Sequence, residues 1–473
     1  MIPGIEAAHL CELLRRHVRG RVLGETDAGY AAARRLWNAH IDRCPAAIVA
    51  CGDEHDVIAA LAVARDHGVA VSVRGGGHGV GGLAARDDAV MLDLSALRTV
   101  SISAERRSAL VGGGALWRDL DAAAARQGLA TTGGLVSSTG VGGLTLGGGT
   151  GWLMRRHGLA CDNLLGARVV LADGRVLELS AQEEPDLWWL ARGGAGQFGV
   201  VTALEFRLHP LEAVFAASLI YPASAAGALL RAFRDFAATA PDEFCGVLEI
   251  AAAPPLPQLE RHWHGRTVVT LGVCWCGALA AGRQQCAPLL ASAQPLAEVK
   301  GEFAYDRWQQ QADATAPAGQ YHYWRNATFP GLDEASIDLL EGVALRLPNP
   351  LARVHLQHLG GAVERVPEQD SAFAGRQAQF FVNLIGAAAR AEEFDEVCGW
   401  VRRVHGQLAR GAQPEALSNF DAGADEAAAA RLSGRRERRV QELRRRCDPW
   451  GVFAPPLSGA SALRVAAGGS PPG

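Results

Sequence analysis

From Pro45 onward, short apolar and β-branched runs alternate with stretches whose apolar residues recur every three to four positions. "PAAIVACG" predicts a strand, "EHDVIAALAVARDHG" a helix that stops at Gly68, and "VAVSVRGGGH" a second strand, together a strand–helix–strand unit. "AVMLDLS" and "SALVGGGA" predict further strands, and "LWRDLDAAAARQG" a helix ending at Gly128. "ARVVLADGRVLEL" predicts two strands about an Asp-Gly turn, and "GQFGVVTALEFRLHP" one more strand closed by Pro210. Between Leu211 and Gln413, "HWHGRTVVTLGVCWCGAL", "LARVHLQHLGGAVERV" and "QAQFFVNLIGAAA" predict strands of one sheet, separated by helices such as "DEASIDLLEGVALRL". An Ala-rich helix follows, then a basic helix in "RRERRVQELRRRCDPWGVF", then a tail, "GASALRVAAGGSPPG", expected to be disordered.

Length and composition narrow the function. A chain of 473 residues exceeds one hydrophobic core, so two or three domains are expected. The 56 glycines are not spread evenly; they concentrate between Gly75 and Gly199, where backbone would approach a large ligand. A net charge of −4 gives no attraction to nucleic acid or anionic lipid. No uninterrupted apolar run is long enough to span a membrane, and "MIPGIEAAHLCELLRR" reads as an amphipathic helix instead of a signal peptide. The ten cysteines show no CxxC pairing, which points to reduced thiols and a cytoplasmic location.

"RGGGHGVGG" carries the candidate chemistry. Six glycines among the eight residues from Gly75 to Gly82 let successive backbone N–H groups converge on an anion such as a pyrophosphate, with Arg74 as an added charge. A tight turn is the competing reading, although a turn needs only one or two glycines. Neither glycine segment has the lysine of a P-loop, and Gly140-Val141-Gly142-Gly143 does not fit a Rossmann spacing. His78 lies where it could reach a bound cofactor, and a neutral imidazole is a nucleophile.

These segments, with "SSTGVGGLTLGGGTGWLMRRHGLACDNL", "PDLWWLARGGAGQFGVVTALEF" and "YDRWQQQADATAPAGQYHYW", resemble the berberine-bridge-enzyme-like branch of the vanillyl-alcohol oxidase / p-cresol methylhydroxylase flavoproteins. "LSNF" and "CDPWGVF" resemble it more weakly. The resemblance implies an α+β fold in two domains: an FAD-binding fold of the p-cresol methylhydroxylase type, and a mixed-sheet substrate domain that roofs the flavin. The expected boundaries are 1–210 for the first part of the FAD domain, 211–413 for the substrate domain, 414–458 for a return to the FAD domain, and 459–473 for the tail. It also implies FAD, with its pyrophosphate against Arg74, Gly75, Gly76, Gly77, His78 and Gly79. Val136, Thr139, Gly140, Gly142, Gly143, Asp162 and Asn163 would line the flavin and ribityl side, and Gly199 and Val201 the adenine side. His78 would be bonded to the flavin 8α-methyl group. Val136 stands where some relatives carry a second attaching cysteine, so a single link is expected.

Two departures bear on catalysis. Leu417 replaces a tyrosine that many relatives place two residues before Asn419, and Gly451 and "APPLSGA" replace the late asparagines. A proton acceptor must come from elsewhere. On "ARVHLQH" the strand period places Arg353, His355 and Gln357 on one face; His355 and Gln357 join Glu249, Asn383 and Asn419 as catalytic candidates. The expected reaction is hydride removal from a small organic substrate, with molecular oxygen as acceptor, room for it beside Val136 and Thr139, and hydrogen peroxide as product. Its alternatives are a dehydrogenase using another acceptor and a non-redox cyclase or isomerase. No metal is expected, since His262 and His264, like Cys274 and Cys276, lack further ligands at zinc spacing. The seven arginines between Arg435 and Arg446 are threaded by Val440, Leu443 and Cys447, the pattern of a docked amphipathic helix with a solvated face.

Overall fold

The computed structural model describes residues 5–414, 417–422 and 434–453; the expected Ala-rich helix and the tail lie outside the described residues. The strand–helix–strand unit forms where the sequence pattern put it. Ala47–Ala50 and Val71–Arg74 both pair in parallel with Val90–Asp93, which lies between them, and Val22–Leu23 adds an antiparallel edge. The crossover helix Glu54–Asp66 starts where the Asp53 carboxylate accepts the Asp56 N–H, and it buries Val57, Ala60, Leu61 and Ala64 against the strands.

A second sheet of five antiparallel strands runs in the order Val100–Ser103, Ser108–Gly112, Val200–Arg207, Leu164–Val170, Val176–Leu179. Trp117, Val169, Phe198, Leu204 and Phe206 fill its core. Val440, Leu443 and Cys447 of the helix Arg435–Cys447 pack into that core, while Arg439 and Arg446 reach Asp186 on the outside. The backbone then comes back to the first sheet, where the Val71 N–H donates to the Val452 carbonyl at 2.8 Å.

Residues between Ala213 and Leu408 build a seven-stranded sheet. Its order is Ala297–Ala304, Ala213–Pro222, Thr267–Trp275, Phe244–Ala252, Arg353–His358, Phe380–Ala388, Tyr321–Phe329. The expectation of a mixed sheet is corrected here, because every pairing in it is antiparallel. Ala213–Pro222 and Phe244–Ala252, joined through the helix Ala226–Ala237, do point the same way, but Thr267–Trp275 is inserted between them in the opposite sense. One face is covered by helices that bring Leu229, Phe233, Ile337, Leu340, Trp400 and Val401 against Leu248, Leu356 and Val382. The other face presents Cys245, Val247, Cys274 and Phe381 to Trp152, Leu153 and Met154 of the N-terminal part. Among the described residues no helix is long and apolar enough to cross a membrane.

Candidate active site

The strand Val71–Arg74 delivers the chain into Gly75, Gly76 and Gly77, and side chains are excluded there by distance. A Cβ on Gly76 would lie 2.5 Å from the Gly140 nitrogen and 2.6 Å from its Cα; one on Gly140 would lie 2.5 Å from the Gly76 nitrogen. The two glycine loops are therefore packed backbone to backbone. Gly113 joins them, since a Cβ on Gly75 would come within 3.0 Å of its carbonyl oxygen and one on Gly142 within 3.2 Å. Gly77 has φ +66°, which only glycine adopts without strain. Against Gly75, Gly76 and Gly77 lies a cavity of about 190 Å³, lined also by Arg35, Trp37 and Leu116. Arg74 does not supply the free charge expected of it. Its guanidinium turns to Asp93, donating from Nε at 3.1 Å, and to the Ala33 carbonyl.

His78 sits at the end of this loop with Nε2 buried and without a hydrogen-bond partner. Burial pushes its pKa down to about 4, with its own backbone carbonyl pulling the other way. The ring stacks on Trp37 at 4.2 Å between centroids and 17° between planes, and Trp37 stacks in turn on His322 at 4.1 Å and 16°. Two rings this close and this parallel to one indole must occupy its opposite faces. His322, on the strand Tyr321–Phe329, is brought in by Asn38, whose Nδ2 donates to the carbonyls of Val80 and His322 and whose Oδ1 accepts the His322 N–H. The glycine loop is thus stitched to the seven-stranded sheet.

The face of that sheet turned toward the N-terminal part carries a polar row. Glu249 is opposite His355, His355 opposite Asn383, and Asn383 opposite Asn326. His355 Nδ1 lies 3.7 Å from Glu249 Oε2. Burial works to raise the Glu249 carboxyl, but the His355 contact and the nearby Arg353 guanidinium outweigh it and hold the group below the ordinary glutamate value. Gln357 and Asn383 are buried, and both polar atoms of each side chain lack a conventional hydrogen-bond partner; Gln357 has only the weakly bonding Cys245 thiol beside it. Buried amides left in this state cost free energy until a ligand meets them. Asn326 is already used, gripping the backbone of Leu417 and Phe420.

A protein-family model described as an FAD binding domain matches residues 45–180. Over 204 residues the chain is 38% identical to (R)-6-hydroxynicotine oxidase of Paenarthrobacter nicotinovorans, which takes in 43% of this chain and 44% of that protein. The match thus spans less than half of that relative's length. The whole fold is similar to the crystal structure of 6-hydroxy-D-nicotine oxidase from Arthrobacter nicotinovorans, with TM-score 0.80, 25% identity, and coverage of 92% of this chain and 96% of that one. Residues 45–180 thus match an FAD-binding domain, and what the whole chain resembles are FAD-linked oxidoreductases and berberine-bridge-enzyme-like folds. BBE-like 1 of Physcomitrella patens shares the fold at TM-score 0.83 and 22% identity, over 94% of this chain and 97% of that one.

Within this FAD-binding domain the residues present fit the cofactor. The cavity against Gly75, Gly76 and Gly77 is walled by bare backbone, and His78 follows at the end of the same loop. Other expected contacts are placed differently. Asp162 is taken up by Arg376, bidentate at 2.8 and 3.0 Å, and by Arg192; Asn163 holds the His157 and Leu159 carbonyls and His209. Their side chains brace the second glycine segment and have no polar group left for a ligand. Val136 packs with Trp37, Val80 and Ala316, and the Thr139 carbonyl accepts the Trp117 N–H. Gly143 and the exposed Gly79 leave open space where a Cβ would stand. Gly199 is pressed against Val169 and Val170, and the Val201 carbonyl backs onto Gly113. Of the catalytic candidates, Glu249, His355, Gln357 and Asn383 share one sheet face. Asn419 stands apart from them, its Nδ2 donating to the Leu144 carbonyl at 2.9 Å. Trp37, Asn38, His322 and Gly113 were not singled out from the sequence, since each owes its place to a contact between distant segments.

Proposed function

We propose that this flavoprotein is an oxidase: it removes a hydride from a carbon of a small organic substrate, passes the electrons to molecular oxygen and yields hydrogen peroxide. The observation that carries the reading is the Glu249–His355–Asn383 row, a polar strip on the sheet face turned toward the glycine loops. Bound FAD would supply the two-electron acceptor. His355, with Nδ1 toward the Glu249 carboxylate, takes the proton of the substrate hydroxyl or amine at Nε2, and Glu249 stabilises the imidazolium that results. The unpaired amides of Gln357 and Asn383 hold the substrate's polar atoms, and the aromatic rings of Phe381, Phe420 and Trp324 cover its apolar part and keep water out. Gly75, Gly76, Gly77, Gly140, Gly142 and Gly143 hold the cofactor backbone to backbone, and His78 is its single covalent anchor.

The test precipitates purified protein with acid and measures flavin absorbance in the pellet, with His78→Ala as control. Retention in wild type and release in the variant is the expected result; a colourless wild-type pellet refutes the anchor. Substrates are then screened by peroxide release. Fast reduction of a dye with slow oxygen consumption would move the assignment to a dehydrogenase.

A further inference from the structure

We propose that the groove between the helix Trp117–Ala125 and residues 310–313 is a second binding site, one that takes a small anion of the phosphate class. It lies apart from the glycine-loop cavity and from the Glu249–His355–Asn383 row, and it stands whether or not the protein is an oxidase.

Space comes first. The groove has a volume of about 590 Å³, inside the range of about 300–1,000 Å³ usual for small-molecule sites. One wall is the helix, where Arg118, Ala122 and Arg126 recur at intervals of four and share a face. The other wall is Gln310 and Asp313, which precede the strand Tyr321–Phe329, with Arg98 and Ser137 completing the lining. The groove therefore straddles the seam between the N-terminal part and the part that carries the seven-stranded sheet.

Charge decides what fits. The lining carries three guanidiniums and two carboxylates, and both carboxylates are already occupied. Asp119 accepts Arg98 Nη2 at 2.8 Å and the Leu116 N–H at 2.8 Å. Asp313 accepts the Ser137 N–H at 2.8 Å and the Ser137 hydroxyl at 2.6 Å. Arg118 and Arg126 are exposed, and among the described residues neither side chain has a hydrogen bond or an ion pair. Elsewhere exposed arginines do find carboxylates: Arg43 holds Asp87, Arg365 holds Asp242 and Arg439 holds Asp186. A helix rises about 1.5 Å per residue, so each free arginine starts about 6 Å from Ala122 along the axis, and both long side chains can close over its methyl group on one ligand. Two guanidinium forks arriving from opposite sides match an anion with several oxygens on tetrahedral centres. A lone carboxylate has two oxygens, enough for one fork.

Flavin-loaded protein is titrated with sodium pyrophosphate at low salt, by calorimetry and by thermal melting, so that FAD fills its own cavity and the groove is left to report. Pyrophosphate should bind one per chain with a Kd of about 1 mM or tighter and raise the melting temperature. Arg118→Ala/Arg126→Ala should melt with wild type in the absence of ligand and bind about 10-fold more weakly or worse, the scale of one lost charge-assisted hydrogen bond. Should the alanine pair melt early, Arg118→Gln/Arg126→Gln, closer in length, decides in its place. Arg403→Ala/Arg410→Ala removes the same charge from exposed positions on and just beyond the helix Phe394–Leu408 and should bind like wild type. Sodium phosphate binding as tightly as pyrophosphate would support the site and narrow its ligand to a single phosphate group. The proposal is overturned if pyrophosphate gives neither heat nor a melting shift, if both double variants weaken binding equally, or if the dicarboxylate succinate binds as tightly as pyrophosphate.

Discussion

Gly76→Ala tests the pairing of the two glycine loops with one methyl group. The added carbon would stand 2.5 Å from the Gly140 nitrogen, 2.6 Å from Gly140 Cα and 3.1 Å from Leu116 Cδ2. Ordinary contacts between such atoms begin near 3.5 Å, so the two backbones must part by about 1 Å. Neither side yields freely: the Val141 N–H is bonded to the Ala115 carbonyl at 2.9 Å, and the Thr139 carbonyl to the Trp117 N–H at 3.0 Å. Overpacking of this kind costs about 1–3 kcal/mol. With a urea m-value near 3 kcal/mol/M, the unfolding midpoint of the flavin-free protein should fall by about 0.3–1 M. The same movement displaces the N–H groups that would face the cofactor, so flavin content after purification should drop as well. Gly79→Ala is the control. A Cβ there meets nothing within 4 Å and the residue is not in the left-handed region, so its midpoint should hold or rise, the unfolded chain losing about 0.4–1 kcal/mol of freedom. Equal midpoints and equal flavin loading for Gly76→Ala and wild type would refute the backbone-to-backbone account.

Three further outcomes are expected. With a turnover substrate in hand, His355→Ala should lower kcat by about 10²–10⁴-fold, and Glu249→Gln by less, in a peroxide-coupled assay at unchanged flavin content; full activity in His355→Ala would remove it as the proton acceptor. Asp121 is buried, with only Gln309 donating to it at 3.3 Å, and burial pushes its carboxyl up to about 7. Because its folded value lies above the unfolded one, its charge weakens the fold as pH rises from about 4 to about 7. Asp121→Asn should therefore melt above wild type at pH 8, with the difference closing near pH 4; a constant difference across that window would show that the carboxyl is not the cause. Arg376 is wholly buried on Asp162, Ser371 and the Val363 carbonyl, and Arg376→Ala should cost up to about 3–5 kcal/mol in denaturant unfolding by leaving the buried Asp162 carboxylate with Arg192 as its one remaining charged partner. A loss under about 1 kcal/mol would place that pair among exposed ion pairs in effect.

What the sequence disclosed and what it withheld divide along the range of the interactions. Period and punctuation are local, so Glu54–Asp66, Val71–Arg74, Trp117–Ala125 and the hairpin Leu164–Val170 with Val176–Leu179 could be read directly. The strand period also placed His355 and Gln357 on one face of Arg353–His358, since alternation needs no knowledge of the neighbours. Register does need it: that Glu249 and Asn383 flank His355 follows from pairings across 106 and 28 residues of sequence, 355 − 249 and 383 − 355. The antiparallel character of the large sheet escaped for the same reason. A helix between two strands says that they point the same way and is silent about a third strand inserted between them.

Charges misled where their partners were remote. Arg74 beside glycines looks like a phosphate ligand until Asp93, its neighbour across a parallel pair of strands, takes the guanidinium. Asp162 looks like a ribityl contact until Arg376, 214 residues away, occupies both carboxylate oxygens. Trp37 gave no signal at all, because nothing in "RLWNAHID" shows that Gly77, Ala316 and Gly319 will converge on one indole. The glycine segments escaped this ambiguity since their information is steric and needs no partner of a given charge: a backbone that cannot carry a Cβ must be closely approached by something. At Gly76 that something is Gly140, and the first of the two loops so paired runs on into His78, whose ring stacks on Trp37.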